Sequence, residues 1–184
     1  MLVKIRDIAI IQSGIYLKES PDGDAIYLQI RDFDELRLID SQLSKTVIIS
    51  EKSSRHLLEE GDLLFAAKGT SNFCVQYPVE IGKAVASSAF FVIRIKNKNV
   101  LPEFIAWFLN LPETLEWLRS CSVGSTIPSI TKVMLEELSL NIPDVAIQKK
   151  IVECSNLQKK ESELLFQISY KRTILNNALL KKLI

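Results

Sequence analysis

Two polar segments of the sequence carry side chains suited to contact with nucleic acid. The first, "FAAKGTSNF", places Lys68, Thr70, Ser71 and Asn72 around a glycine. Lysine and hydroxyl groups bind phosphate oxygens, asparagine can pair with an adenine edge, and glycine allows close backbone approach. The segment therefore predicts a DNA-binding loop, with an ordinary polar loop as the alternative.

The second segment, "VGSTIPSITK", repeats this chemistry further along the chain. It contains Gly124, Ser125 and Thr126, followed by Ser129 and Lys132. Composition alone does not decide between a DNA contact and a solvated loop here either.

Catalytic and cofactor-binding patterns are absent from the sequence. The single histidine, His56, has no clustered second ligand and is interpreted as a surface or helix-end residue. No GxSxG elbow occurs, and "AAKGTSN" lacks the first glycine of a phosphate-binding loop. Asp62 and Lys68 could serve a metal-dependent nuclease, but Ala66 stands where a second carboxylate would be needed. We expect a non-catalytic protein without cofactor or metal, and we keep a divergent nuclease as an alternative.

Composition places the chain among ordinary soluble proteins. It has 184 residues, 47 % of them hydrophobic and 24 % charged, and no apolar run long enough to span a bilayer. The N-terminal segment carries charges at Lys4, Arg6 and Asp7, which is untypical of a signal peptide. Three separated cysteines without CxxC spacing argue against disulfides and zinc. These features predict a cytoplasmic protein with no membrane partner.

Charge is distributed unevenly between the two parts of the chain. Residues 1–142 contain 15 basic and 18 acidic side chains, whereas residues 143–184 contain 8 basic and 4 acidic ones. Because the first part is net acidic, any nucleic acid would have to bind to a local patch on it.

The elements that must position these residues are predicted from periodicity. Alternating or β-branched runs predict strands at 25–34, 46–50, in "LLFAAKG" and at 90–95. Pro102 and Pro112 each stand where a helix can begin. A helical turn and a short strand are expected in "TKVMLEELSLNIP". The fold class predicted is α+β, a mixed sheet and helix domain.

The stretch "LNIPDVAIQKKIVE" marks a boundary. Pro143 lacks a backbone donor and favours an extended residue before it, and Asp144 can cap a following helix. No proline or glycine occurs from Val145 to Leu183, which predicts one long helical segment after a domain at 1–142, with the helix assigned to 143–184. Its apolar positions need a partner, in a helical hairpin or a two-helix pairing. The partner-facing residues expected are Ile147, Ile151, Leu157, Leu164, Ile168, Leu175 and Leu179.

The order of the motifs resembles one target-recognition half of the specificity (S) subunit of type I restriction-modification systems. The segments that carry the resemblance are "KIRDIAIIQSG", "LLEEGDLLFAAKG", "SSAFFVIRIKNKNVLPEFIAWFLN" and "GSTIPSITKVMLEELSLNIPDVAIQKKIV". The last is the most similar, with a Gly-Ser/Thr loop, a short helix, a strand ending in Ile-Pro and a Gln-Lys-Lys-Ile helix start.

The resemblance implies a non-catalytic subunit that recognises double-stranded DNA. Methyltransferase (M) and restriction (R) subunits would then be the partners, and the long helix would be a spacer, coiled-coil-like, to which the methyltransferase docks. Lys68, Thr70, Ser71 and Asn72 become DNA-facing candidates, as do Gly124, Ser125 and Thr126. Arg31 and Lys18 are added for their charge in early loops.

One departure from the family pattern suggests a dimer. Such subunits carry two recognition domains and two spacer helices, whereas this sequence has one of each. A homodimer through the long helices would restore the paired arrangement. The alternative is a helical adaptor that assembles a complex without binding DNA.

Overall fold

The centre of the structure is a sheet of four antiparallel strands in the order β2, β7, β4, β5. The strands are β2 (Ala9–Ser13), β4 (Leu63–Ala66), β5 (Cys74–Gln76) and β7 (Phe90–Ile95). The computed structural model describes residues 2–34, 37–39, 43–69, 71–121 and 129–181.

Both faces of this sheet are covered, and the side chains of β4 show how. Leu63 and Phe65 pack into one hydrophobic cluster, and Leu64 and Ala66 pack into a second cluster on the opposite face. Alternation is the ordinary geometry of a strand, and here it feeds two cores instead of one. The continuous apolar run of β4 is explained by burial on both sides.

Helices cover the first of these faces. They are α1 (Ile5–Ile8), α3 (Pro102–Leu109), α4 (Pro112–Ser120) and α5 (Lys132–Glu137), while α2 (Glu51–Ser54) lies in the connection before β4. Pro102 and Pro112 both stand in the first turn of their helices, as the sequence predicts. A proline costs nothing there because the first amide groups of a helix have no partner within it.

Two small sheets complete the body. β1 (Leu2–Lys4) pairs antiparallel with β8 (Ser139–Asn141), and β3 (Ile26–Leu28) pairs parallel with β6 (Ala84–Ala86). The first pairing brings the N-terminal strand beside the strand that precedes the long helix.

Three strand predictions are too long. In "LLFAAKG" only Leu63–Ala66 forms a strand. Within 25–34 only Ile26–Leu28 is a strand, because the Asp32 carboxylate accepts a hydrogen bond from the Gln29 N–H and closes a 3-10 turn. Within 46–50 only Val47 bridges, to Ala25. β5 and β6 were not predicted, and β7 matches its predicted bounds of 90–95.

The long helix α6 (Val145–Lys181) is continuous over 37 residues and is not a hairpin. Asp144 caps it, accepting a hydrogen bond from the Ile147 N–H at 2.9 Å. Ile151 and Val152 pack against the body, and beyond Ser155 almost all side chains are exposed. None of the described helices is long and apolar enough to cross a membrane. A mixed α+β body followed by a long helix confirms the predicted fold class.

Candidate nucleic-acid interface

The turn between β6 and β7 is the point where three strands of the body end. Ile15, two residues after β2, forms a parallel bridge with Ser87. The Ser87 N–H donates to the Leu28 carbonyl at the end of β3, at 2.9 Å. The Ala67 N–H, just after β4, donates to the Ala89 carbonyl at 3.0 Å. We call the surface formed by residues 14–18, 29–31, 68–69 and 87–89 the strand-end rim.

Lys68 lies on this rim and ties the two polar segments of the sequence together. It forms an antiparallel bridge with Ser129, and the Ile130 N–H donates to the Ala67 carbonyl at 3.0 Å. Lys68 is exposed. The segment after β4 and the segment before α5 are therefore neighbours, although about sixty residues of sequence separate them.

The sequence-predicted residues around Lys68 fall into three groups. Ser71 is exposed nearby. Thr70, Gly124, Ser125 and Thr126 lie outside the described residues. Asn72 does not lie on the surface as expected: its side chain is only 3 % exposed.

Asn72 holds its own loop in place. Its Nδ2 donates to the Ala66 carbonyl at 3.0 Å, and its Oδ1 accepts from Arg119 Nε at 3.3 Å. A buried amide with both ends engaged in this way fixes the chain between β4 and β5, and its burial keeps it away from a base edge. We therefore leave Asn72 out of the DNA-facing set.

Lys18 and Arg31 also lie on the strand-end rim, beyond the ends of β2 and β3. Both are exposed. Arg31 Nη2 is 3.1 Å from Glu19 Oε1, and the same oxygen accepts from Gln29 Nε2 at 2.8 Å. Because the Arg31 side chain stays 70 % exposed, this ion pair is weak and can be exchanged for a phosphate contact.

A second side-chain amide, that of Asn110, hydrogen-bonds to the backbone of β5 at the edge of the sheet. Its Oδ1 accepts from the Cys74 N–H at 3.0 Å, and its Nδ2 donates to the Cys74 carbonyl. The same oxygen also accepts from Arg37, whose guanidinium lies 5.4 Å from the centre of the Phe73 ring. Burial raises the pKa of the Cys74 thiol, so this cysteine stays protonated and is not a nucleophile.

Asp62, which precedes β4, and Arg94, on β7, form a structural ion pair. Asp62 is fully buried, and its two oxygens accept from Arg94 Nε and Nη2, both at 2.8 Å. Hydrogen bonding with Asp62 raises the pKa of Arg94. A carboxylate engaged in this way is unsuited to the metal site that the nuclease alternative needs. Among the described residues there is no group of three or more potential metal ligands.

His56 has a partner in the same region. Its Nδ1 shares a hydrogen bond with Gln12 Nε2, and burial, followed by the nearby Arg55 charge, lowers its pKa. No nucleophilic side chain stands beside it among the contacts described. The histidine follows the end of α2, as expected, with its N–H bonded to the Ser53 carbonyl at 2.9 Å, and its side chain is half-buried.

A family model described as "Type I restriction modification DNA specificity domain" matches residues 1–183. The chain belongs to this family. The match covers nearly the whole chain and confirms the resemblance drawn from the motifs.

Relatives and solved structures agree with the family match. The chain is 30 % identical over 131 residues to the type I restriction enzyme HindI specificity subunit of Haemophilus influenzae, covering 70 % of the chain and 28 % of that protein. The HsdS subunit of Thermoanaerobacter tengcongensis has a TM-score of 0.64 at 15 % identity, over 91 % of this chain and 39 % of its own. The S subunit of a type I restriction-modification system from M. genitalium has a TM-score of 0.60 at 15 % identity, over 100 % of this chain and 45 % of its own.

The chain thus spans less than half the length of each of these proteins. At such identities the structural matches establish the fold. They show that the body and the long helix together have the fold of a part of each of these two structures.

Proposed function

We propose that this protein is the DNA-recognition component of a type I restriction-modification system. It would bind duplex DNA without catalysing a reaction and would direct separate methyltransferase and restriction subunits to the bound site. The observation that carries this proposal is the family match over residues 1–183. The convergence of exposed cationic and hydroxyl side chains on the strand-end rim supports it from the geometry.

The rim supplies the DNA contacts in this proposal. Lys68, Lys18 and Arg31 are exposed on the rim and come from segments held to one turn by backbone hydrogen bonds, and exposed Ser71 follows three residues after Lys68. Lysine and arginine would neutralise phosphates, and serine would hydrogen-bond to the backbone or to a base edge. Thr70 and the Gly124–Ser125–Thr126 group stay predictions for the same surface.

In this proposal, the surface that binds DNA and the site that anchors α6 lie at opposite ends of β7. Phe90, the first residue of β7, follows the rim turn, whereas Asn99 and Leu101, which hold α6, follow its last residue, Ile95. Six residues of strand separate the two ends by about 20 Å. In the proposal, DNA is bound at one end and the spacer helix is anchored at the other.

The spacer helix is proposed to pair with the same helix of a second copy. Nine residues, or two and a half helical turns, separate the body-facing Gln148 from Leu157, so the two side chains lie on opposite sides of α6. Leu164, Ile168, Leu175 and Leu179 share the side of Leu157, and all five are between 46 % and 62 % exposed. We call these five residues the outer stripe.

Two of the residues predicted for this interface, Ile147 and Ile151, do not lie on the outer stripe. Ile151 is half-buried against the body core, which leaves little of it for a partner. Ile147 is 46 % exposed but lies a quarter-turn to one side. The outer stripe is spaced by steps of seven, four, seven and four residues, an 11-residue repeat of about 3.67 residues per turn. Such spacing favours a right-handed supercoil over a left-handed one.

A selection experiment tests the proposal as a whole. The purified chain is incubated with a library of random duplexes, and the bound sequences are determined at two salt concentrations. A C2 dimer presents the same surface twice in inverted orientation, so the selected site should be an inverted repeat with a fixed gap. A single unrepeated half-site would exclude the dimer, and failure to select any sequence would favour the adaptor alternative.

Addition of methyltransferase subunits tests the assembly part separately. Methylation of the selected site by the combined subunits, and none by the chain alone, is the expected result. Metal-dependent cleavage by the purified chain alone would favour the nuclease alternative.

A further inference from the structure

Tyr16 is an aromatic residue that the fold presents to solvent on the strand-end rim. Its side chain is 80 % exposed. An exposed tyrosine on its own has no special meaning, because single apolar side chains are common on protein surfaces. What distinguishes Tyr16 is the way in which the chain on either side of it is fixed.

A buried phenol clamps both neighbours of Tyr16. The Tyr27 hydroxyl donates to the Ile15 carbonyl at 3.0 Å and accepts from the Leu17 N–H at 3.4 Å. Tyr27 itself is only 8 % exposed, and burial raises its pKa. Leu17 packs inward with Tyr27 and Val85. With Ile15 and Leu17 held in this way, the side chain between them projects outward.

The segment before Tyr16 is tied equally firmly to the rim turn. The Gly14 N–H donates to the Phe90 carbonyl at 2.9 Å, and the Ile15 N–H donates to the Ala86 carbonyl at 3.0 Å. A Cβ at Gly14 would lie 2.1 Å from the Ser87 carbonyl oxygen, so only glycine permits this approach. Because Ala89 of the same turn is bonded to Ala67, the Tyr16 segment has a fixed position relative to Lys68.

The charges around Tyr16 favour a polyanion as its ligand. Lys18 and Arg31 are exposed on the same rim, and the acid beside them, Glu19, is already bonded to Gln29 and Arg31. Tyrosine is among the residues that donate hydrogen bonds to DNA phosphates. A preorganised tyrosine loses little conformational entropy on binding, which is why rigid aromatic side chains often dominate interfaces.

We propose that Tyr16 is a duplex-DNA contact residue. Its hydroxyl donates a hydrogen bond to a phosphate oxygen and its ring covers the adjoining deoxyribose, while Lys18 and Lys68 neutralise phosphates on either side. This inference rests on the proposed DNA-binding function and adds to it a contact that carries no charge.

The test measures the affinity of the full chain for its selected duplex as a function of salt concentration. Tyr16→Ala is expected to weaken binding about tenfold at every salt concentration, because a hot-spot aromatic is lost. The slope of log affinity against log salt should stay unchanged, since no cation is removed. Tyr16→Phe, which keeps the ring, should weaken binding by about threefold through loss of the hydroxyl alone. Tyr170→Ala, at a 62 % exposed tyrosine on α6, is the matched control and should bind as the wild type does.

Each outcome decides the matter. Wild-type affinity in both Tyr16 variants would overturn the inference and leave the proposed function standing. A wild-type chain that binds no duplex would overturn both. If Tyr16→Ala impairs assembly with methyltransferase subunits and leaves DNA affinity unchanged, the residue belongs to a protein interface. Should Tyr16→Ala fail to fold, Tyr16→Phe still decides, because it changes a single exposed hydroxyl.

Discussion

The Gln148 side chain accepts a hydrogen bond from the backbone N–H of Leu101, at 2.9 Å, and thereby joins α6 to the body. Its Nε2 donates to the carbonyls of Asn99 and Pro143, at 2.9 and 2.8 Å. The residue is completely buried. Every donor and one acceptor site of the amide are used, so α6 has a fixed orientation on the body. In the proposed complex this orientation sets where the bound DNA lies relative to the spacer.

Gln148→Ala is predicted to destabilise the protein by about 3 kcal/mol, because it leaves buried backbone groups without partners and creates a cavity. The free energy of unfolding is measured by urea denaturation. Gln167→Ala, at an exposed glutamine of the same helix, is the control and should cost less than about 0.5 kcal/mol. Equal costs for the two variants would show that the joint does not depend on Gln148.

This joint shows which features could be predicted from the sequence. Pro143 and Asp144 act on adjacent residues, so the end of the body and the start of α6 could be located from local chemistry alone. The role of Gln148 depends on Asn99 and Leu101, nearly fifty residues earlier, and no local pattern marks it. A glutamine near the start of a polar helix gives no sign of burial.

The burial of Asn72 differs from the sequence expectation for the same reason. Its neighbours in sequence are polar and its loop lies at the proposed surface, which predicts exposure. Burial follows instead from contacts with Ala66 and with Arg119, on a helix 47 residues away. The short strand β6 was missed because Ala84–Ala86 has no alternation, and it forms only by pairing with the distant β3.

Asn72→Ala is predicted to lower stability by about 2 kcal/mol, because the Ala66 carbonyl and the Arg119 guanidinium lose a buried partner. DNA affinity is measured under conditions in which the variant is fully folded. It should fall only through loosening of the loop between β4 and β5. Preference for the selected bases should stay intact. Ser71→Ala is the comparison, since Ser71 is exposed next to it and its loss should leave stability unchanged. A relaxed base preference with normal stability in Asn72→Ala would restore the base-reading role.

Lys68→Ala is predicted to weaken DNA binding about uniformly across sequences and to reduce the salt slope by about 1, because one phosphate contact is lost. Lys98→Ala is the matched control. Lys98 is also an exposed lysine but follows the end of β7 opposite the rim. Affinity is measured by fluorescence anisotropy at several salt concentrations. An unchanged slope in Lys68→Ala, with a reduced slope in Lys98→Ala, would place the DNA at the other end of the body.

Pairing of the spacer helices is predicted to depend on the outer stripe and not on the opposite side of α6. Leu164→Lys combined with Leu175→Lys should raise the dimer dissociation constant by at least about 100-fold, since two hot-spot-sized apolar contacts are replaced by like charges. Sedimentation equilibrium measures the constant.

Phe166→Lys combined with Ile174→Lys is the control for helix pairing. It adds the same charge at residues that are 54 % and 51 % exposed. Phe166 lies eighteen residues, or five full turns, after Gln148 and therefore on the body-facing side. The control should remain dimeric, because Phe166 points away from the proposed contact and Ile174 lies a little more than a quarter-turn to its side. A wild-type chain that is monomeric at tens of micromolar would contradict the proposed dimer. If only the control variant dissociates, the helices pair through the body-facing side of α6 instead. Dimers that persist in the stripe variant but bind only one half-site would show that the second copy is held by some other surface.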